Sequence, residues 1–312
     1  MTLLKKKKNI TPFLGFLIML MVLSACGGTV TAQQLRVIVD REGHTITAPA
    51  EIKSIVTIGP SATEIIIGLG FAEKIISTDR FSSDVEGLPA GVSAEFDMMN
   101  LDAEFIINLM PDVIFITNMT KGGGEDDPLA PVSAAGIAVI YIPISLSIAA
   151  IMEDIRFIAA VMKADEAGEA LISAMQAEID EITSIASGIT QTRTVYFEIS
   201  PAPWMTSSGS GTFLNEMIEL VGATNIFANQ NGWIPVTDEI LLELNPDVIL
   251  TSTDFLPDPI GEILQRPGFN VITAIQNGDV FPIDTASSNQ PSQNITRALR
   301  KIAAAVFPEY FL

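Results

Sequence analysis

The chain has very few cysteine and histidine residues. Its 312 residues include one of each. A single cysteine excludes an internal disulfide and every cysteine-rich zinc site, and a single histidine, His44, excludes metal sites with several histidine ligands. A single histidine also leaves very few histidine-dependent mechanisms. The two counts remove most enzyme classes, and we expect no catalytic residues, no metal site and no resident cofactor.

Positive charge is also scarce. The chain has 17 basic and 37 acidic residues, which gives a net charge of −20. Binding to nucleic acid needs a basic surface that displaces counterions, so this balance argues against it. Hydrophobic residues make up 48% of the chain and charged residues 17%, a composition that excludes intrinsic disorder. The length indicates two domains or one large α/β domain.

The first 26 residues have the pattern of a secretory signal. Four lysines at positions 5–8 precede an apolar run at 12–23, which is too short to span a bilayer comfortably. The following Leu-Ser-Ala-Cys resembles a bacterial lipobox. It predicts that residues 1–25 are removed, that Cys26 is lipidated, and that residues 26–34 form a tether. The processed chain would have 13 basic and 37 acidic residues, with a net charge of −24.

The sequence contains an internal duplication. Residues 103–116 read AEFIINLMPDVIFI and residues 238–251 read DEILLELNPDVILT. Each segment has a glutamate, Glu104 or Glu239, seven residues before a Pro-Asp pair. The pattern predicts an amphipathic helix that proline ends, followed directly by a buried strand.

A second matched pair lies upstream in each half. Six residues after Glu64 and after Glu216 there is a glycine that suits the end of a helix. Each predicted helix follows an apolar strand and a loop of small residues, at 59–63 in the first half and at 200–212 in the second. Strands that are apolar on both faces are typical of parallel sheets covered by helices. We expect a first lobe at 35–145, a helical region at 146–188 whose long helix is capped by Asp165, and a second lobe at 189–312. One continuous α/β sheet is the alternative.

Several stretches together resemble a known family. They are the hairpin sequence from position 35, IKSIVTIGPSATEIIIGLG, FDMMNLDAEFIINLMPDVIFI, NGWIPVTDEILLELNPDVIL and NGDVFPIDTASSNQPSQNITRALRKIA. The chain resembles the substrate-binding lipoproteins of bacterial ABC importers, in the subgroup that carries cobalamin, ferric siderophores and haem. The resemblance implies an α/β fold like that of class III periplasmic binding proteins, with two Rossmann-like lobes of parallel sheet joined by a single long rigid helix.

The resemblance also implies how the protein works. A monomer anchored on the extracytoplasmic face of the membrane would hold a metal chelate in the cleft between its lobes. It would deliver this ligand to a permease dimer with its ATPase. In the resembled family, the glutamates that match Glu104 and Glu239 contact arginines on the two permease subunits. A structural role at the positive end of a helix is the alternative for both glutamates.

Ligands of open α/β sheets bind at the carboxyl ends of the strands. The loops expected there include residues 118–124 and hold one obvious arginine, which favours a ligand of low net charge. Aromatic and thioether side chains in these loops would suit a flat macrocycle such as a corrin or porphyrin. The alternative is that they cap sheet edges or fill the core. The predicted ligand-binding residues are Ser61, Arg80, Phe96, Met98, Trp204, Met205, Trp233 and Asp284.

A surface-anchored hydrolase is the alternative from another functional class. A glycosidase-like enzyme needs only two carboxylates, and the chain has many. The Gly-x-Ser-x-Gly spacing of a nucleophile elbow is absent, however, and we expect His44 on the surface of an early hairpin, which suits no catalytic triad.

Overall fold

The computed structural model describes residues 34–41, 43–117 and 127–311. The predicted signal peptide, the lipidated Cys26, nearly all of the tether and the loop at 118–124 lie outside the described residues. The predictions for these segments stay predictions.

The described chain begins with an antiparallel hairpin. Its strands are β1 (Leu35–Val39) and β2 (Thr45–Pro49). Ile38 and Ala48 point into the core, whereas His44 in the turn is exposed and lies beside Asp40. The predicted hairpin and the surface position of its histidine are confirmed.

The first lobe is built on a parallel sheet of five strands. These are β3 (Ile55–Ile58), β4 (Ile75–Asp79), β5 (Ser93–Phe96), β6 (Val113–Thr117) and β7 (Ala138–Ile142), in the order β5-β4-β3-β6-β7. The helices are α1 (Pro60–Gly68), α2 (Ala103–Leu109) and α3 (Ala130–Ala134). The central strand β3 is buried along its whole length, as expected for a parallel sheet covered by helices.

The predicted loop at 59–63 is wrong, because the chain enters α1 directly after Gly59. Pro60 occupies the first turn, where a helix has no partner for a backbone N–H group. Gly59 has φ 114°, and a β-carbon there would lie 2.5 Å from a methyl group of Thr117. The glycine therefore allows a sharp turn from strand into helix where the backbone passes close to β6.

The helical region between the lobes consists of two helices. They are α4 (Ile148–Met162) and α5 (Asp165–Ala186). Lys163 separates them in the left-handed conformation, with φ 57°. Asp165 is the first residue of α5 and not its cap, since Ala164 holds the cap position without a side-chain hydrogen bond. With 22 residues, α5 is about 33 Å long.

Helix α5 begins beside the first lobe and ends beside the second. A β-carbon on Gly168, near its start, would lie 4.0 Å from Leu69 of the first lobe. A β-carbon on Gly222 of the second lobe would lie 3.6 Å from the carbonyl oxygen of Ala186, the last residue of α5. The helix therefore spans both lobes, as the resemblance implies.

The second lobe has a parallel sheet of four strands. These are β8 (Thr194–Glu198), β10 (Thr224–Asn225), β12 (Val248–Thr251) and β13 (Val280–Pro282), in the order β10-β8-β12-β13. A two-stranded antiparallel ribbon joins β9 (Thr206–Ser208) to β11 (Trp233–Pro235). The helices are α6 (Phe213–Leu220), α7 (Asp238–Leu244), α8 (Pro259–Leu264), α9 (Thr273–Asn277), α10 (Thr285–Asn289), α11 (Ile295–Val306) and α12 (Pro308–Phe311).

The internal duplication is visible in both sheets. The order β4-β3-β6-β7 in the first lobe corresponds to β10-β8-β12-β13 in the second. The repeated Pro-Asp pairs have the same task in each. Asp112 accepts hydrogen bonds from the backbone N–H groups of Lys53, at 2.6 Å, and Ser54, at 3.1 Å, and Asp247 accepts one from the N–H of Thr194 at 2.8 Å. Each aspartate thus ties the start of β6 or β12 to the start of the neighbouring central strand.

One apolar cluster extends through both lobes. It includes Phe115 of β6, Ile179 of α5 and Phe197 of β8. Residues 34–312 accordingly form one compact unit in which the two sheets share helices. In the ranges that the structure describes, no helix is long and apolar enough to cross a membrane.

Candidate ligand cleft and docking face

The two lobes contact each other beside the start of α1. The carboxylate of Glu64, in the second turn of α1, accepts a hydrogen bond from the hydroxyl of Ser292 in the second lobe. The side-chain amide of Gln293 donates to the backbone carbonyl of Glu64 at 2.8 Å. Burial raises the pKa of Glu64, and the hydrogen bond from Ser292 opposes this effect. The segment before α11 is therefore held against the helix that starts at the carboxyl end of β3.

The duplicated glutamate makes the reciprocal contact. Glu216 of α6 accepts a hydrogen bond at 2.7 Å from the backbone N–H of Ile148, the first residue of α4. Helix α4 follows β7, the last strand of the first sheet. Glu216 of the second lobe therefore contacts the start of α4, and Glu64 of the first lobe contacts the segment before α11. The lobes therefore meet on the carboxyl side of both sheets, and this boundary is the candidate ligand cleft.

Arg80 lies on the first-lobe side of this cleft and is exposed. Its guanidinium is 3.3 Å from a carboxylate oxygen of Asp97 and 5.0 Å from the ring centre of Phe81. The charge of Arg80 is therefore partly balanced by a neighbour at the end of the next strand. Arg80 lies at the carboxyl end of β4, as predicted. Its pairing with Asp97 was not predicted from the sequence.

A buried aspartate shapes the turn that carries Arg80. Asp79 accepts hydrogen bonds from the backbone N–H groups of Gly59, at 2.7 Å, and Phe81, at 2.9 Å, and from the hydroxyl of Ser82 at 2.6 Å. It thereby joins the end of β4 to the start of α1. The side chain of Phe81 remains exposed.

Two predicted cleft residues of the first lobe lie deeper than expected. Phe96 is buried in the core and packs edge-on against Phe105 at 5.4 Å between ring centres. Ser61 is buried in the first turn of α1. Met98 is partly buried, and its neighbour Met99 is exposed. Met98 and Met99, rather than Phe96, therefore present apolar surface at this edge.

The second-lobe edge carries two exposed tryptophans. Trp204 is 82% exposed in the turn between β8 and β9, and Trp233 is 51% exposed at the start of β11. Trp233 packs edge-on against Phe213, with 6.5 Å between ring centres. Met205, next to Trp204, is instead buried in the second-lobe core. The prediction that Met205 faces the ligand is therefore not supported by its position.

A buried ion pair lies beneath the Trp204 turn. Arg266 donates to both carboxylate oxygens of Glu198, at 2.6 and 3.0 Å, and to the sulfur of Met205 at 3.2 Å. Glu262 binds the same guanidinium. Burial raises the pKa of Glu198, and the hydrogen bonds from Arg266 oppose it. Glu198 is the last residue of β8 and Met205 follows Trp204, so the network joins both ends of the turn that carries Trp204.

Asp284 has a local structural task. It caps α10 by accepting a hydrogen bond from the backbone N–H of Ser287 at 2.9 Å. Partial burial raises the pKa of Asp284, but the hydrogen bonds from Ser287 outweigh it, so the pKa lies below its usual value. Its carboxylate is thus already engaged, as expected at a helix N-cap.

Besides Phe81, the predicted residues leave out another exposed aromatic side chain, in the second lobe. Phe255 lies in the loop after β12 and is largely exposed. The available signal was its place just beyond a buried strand of the duplication, where ligand-facing loops are expected.

Glu104 and Glu239 occupy equivalent places on the outside of the two lobes. Each is the second residue of its helix, α2 or α7, and both side chains are exposed. Hydrogen bonds from its own backbone N–H and from Thr237 lower the pKa of Glu239. The structure therefore presents one carboxylate per lobe at the positive end of a short helix.

The sequence model of the periplasmic binding protein family matches residues 55–286, and the chain belongs to this family. It is 26% identical over 277 residues to the ABC transporter substrate-binding lipoprotein YvrC of Bacillus subtilis, covering 87% of this chain and 85% of the relative. It is 25% identical to the cobalamin-binding protein of Halobacterium salinarum, and the match covers 85% of this chain and 72% of the relative.

Solved structures agree on the fold. The molybdate-bound periplasmic binding protein MolA of Haemophilus influenzae superposes with a TM-score of 0.73 at 22% identity, covering 88% of this chain and 92% of that one. The resemblance and the two-lobed α/β fold predicted from the sequence are confirmed. The chain is a solute-binding protein of the ABC-transporter class, and its named relatives are solute-binding proteins rather than enzymes.

Proposed function

We propose that this protein captures a large, flat metal chelate of low net charge, of the corrinoid kind, and delivers it to an ABC importer. The carrying observation is a set of exposed aromatic and thioether side chains in the loops that follow the sheet strands and in the β9–β11 ribbon. Its members are Phe81, Met99, Trp204, Trp233 and Phe255.

Contiguous exposed apolar patches in monomeric proteins mark binding surfaces, and the proposal requires that these side chains together form such a patch. A broad macrocycle would cover several at once, gaining contact area without needing many hydrogen bonds. The two tryptophans come from separate segments of the second lobe, so they offer two contacts to one ligand.

Charge at the cleft also favours this ligand class. A small oxyanion or a strongly anionic chelate needs uncompensated cationic donors. Arg80 is already paired with Asp97 at 3.3 Å, and Arg266 is buried with two carboxylates. The cobalamin-binding relative supports a corrinoid in particular.

Delivery would use Glu104 and Glu239. One exposed carboxylate on each pseudo-equivalent lobe suits a twofold permease with one arginine site per subunit. Cys26 would carry the lipid that keeps the receptor at the extracytoplasmic membrane face, and the receptor would work as a monomer.

The glycosidase-like alternative finds little support. The close carboxylates Glu198 and Glu262 share the guanidinium of Arg266, and Glu198 is buried, so this pair cannot flank a glycosidic bond. His44 lies on the hairpin and not at the cleft.

Equilibrium dialysis of the mature chain carrying Cys26→Ser tests the proposal. The ligands would be cyanocobalamin, haemin, a ferric hydroxamate and molybdate. We expect saturable one-to-one binding of cyanocobalamin, with quenching of tryptophan fluorescence. Binding of molybdate or the ferric chelate alone, or of none of the four, would overturn the ligand assignment.

A further inference from the structure

The outer face of the β1–β2 hairpin is apolar although it faces solvent. Leu35, Val37 and Val39 alternate along β1 and are between 59% and 68% exposed. Opposite them on β2 are the exposed Thr45 and Thr47. Among the described residues of the two strands, none on this face is charged, whereas the solvent side of an antiparallel ribbon is normally polar.

This face is held rigidly. Arg36, on the inner side of β1, donates to the backbone carbonyl oxygens of Ala160 and Val161 at the end of α4. Arg41 pairs with Asp154 in the middle of the same helix. Because both ends of the hairpin are attached to α4, the apolar stripe has a constant orientation.

Cations collect beside the hairpin in a strongly acidic protein. Arg36, Lys74 and Lys163 line a cavity of about 200 Å³ at the end of α4, with Glu51 as its one acidic residue. The predicted mature chain has 13 basic residues against 37 acidic ones, so the lining of this cavity is more basic than the chain as a whole. Such a lining is complementary to anionic phospholipid headgroups.

We propose that this hairpin surface, formed by Leu35, Val37, Val39, Thr45 and Thr47 with the adjoining cations, rests on the anionic membrane that carries the anchor. The inference depends on the proposed lipidation of Cys26. Leu35 lies nine positions after Cys26, which gives a maximum reach of about 30 Å. At that range the membrane is always nearby, so a weak contact is enough to orient the receptor.

The test places a single thiol on the surface. Lipidation would occupy Cys26, so Val37→Cys in the mature lipidated chain gives one site for a fluorophore. The matched control is Val271→Cys, which is 58% exposed in the second lobe. Vesicles would contain phosphatidylglycerol and a spin-labelled lipid that quenches nearby fluorophores. We expect at least threefold stronger quenching at position 37, reduced at least twofold by Lys74→Glu with Lys163→Glu or by zwitterionic vesicles.

Other results would overturn the inference. Equal quenching at the two positions would mean that the receptor tumbles freely. Concentration-dependent shielding of position 37 without vesicles would assign the surface to a second copy, and shielding only with permease present would assign it to the transporter. Vesicle flotation checks the anchor separately. If the chain does not float, a histidine tag at position 26 on nickel-chelating lipid repeats the measurement independently of lipidation.

Discussion

Truncation of Trp204 is expected to weaken ligand binding while leaving the fold nearly intact. The side chain is 82% exposed in the ligand-free protein. If a tryptophan offers ~250 Å² of surface, roughly 200 Å² remains for a ligand to cover, with an upper limit of about 5 kcal/mol at ~25 cal/mol per Å². Ordering costs reduce this value, so Trp204→Ala should lose about 1–3 kcal/mol of binding free energy.

The stability effect is worked out in the same way. The buried part of Trp204 is only about 45 Å², so the truncation should lower the free energy of unfolding by about 1 kcal/mol. Trp233 is 51% exposed and packs on Phe213. Trp233→Ala should therefore lower the free energy of unfolding by about 3 kcal/mol and also weaken ligand binding. Phe227→Ala, in the second-lobe core, is the control and should cost about 3–5 kcal/mol.

Urea denaturation and equilibrium dialysis with cyanocobalamin measure the two effects separately. The reasoning is refuted if Trp204→Ala is as unstable as Phe227→Ala, or if its affinity equals that of the unaltered chain. Either result would assign Trp204 to the structural framework.

Three further predictions follow from the docking face, the anchor and the buried ion pair. Glu104→Arg with Glu239→Arg should abolish most uptake at unchanged ligand affinity, with partial losses for the single variants, because rim charges mainly set docking orientation; normal transport in the double variant would exclude this role. Cys26→Ser should leave the protein uncleaved or released, and a processed form still extracted with membranes by detergent would contradict lipidation. Arg266→Met leaves a buried carboxylate unpaired and should cost about 3–5 kcal/mol of stability, whereas the exposed-pair control Arg297→Met should cost about 0–1 kcal/mol; equal losses in denaturation would contradict this difference.

The fold was predictable because its signals are local and repeated. The Pro-Asp pairs at 111–112 and 246–247 predicted a helix end followed by a buried strand, and both occur with matching hydrogen bonds from Asp112 and Asp247. Gly70 and Gly222, expected at helix ends, have φ 85° and 83°. A helix start at Asp165 was expected and α5 begins there, but the left-handed conformation of Lys163 was not foreseen, since a left-handed lysine has no distinctive sequence pattern.

The residues of the candidate cleft were less predictable, because the sequence does not show whether a side chain near a strand end points toward the ligand or into the core. Phe96 and Met205 were assigned by their positions near strand ends, but alternation along the chain turns both into the core. The Glu198–Arg266 pair joins residues 68 positions apart, a contact that no spacing in the sequence indicates.

A crystal structure of the mature chain with bound cyanocobalamin tests the central claim most directly. We predict one corrinoid between the lobes, with its ring covering Trp204 and Trp233 and with Arg80 still beside Asp97. A corrinoid bound outside the cleft, for example in the groove of about 570 Å³ between α4, α5 and α6, would contradict the account.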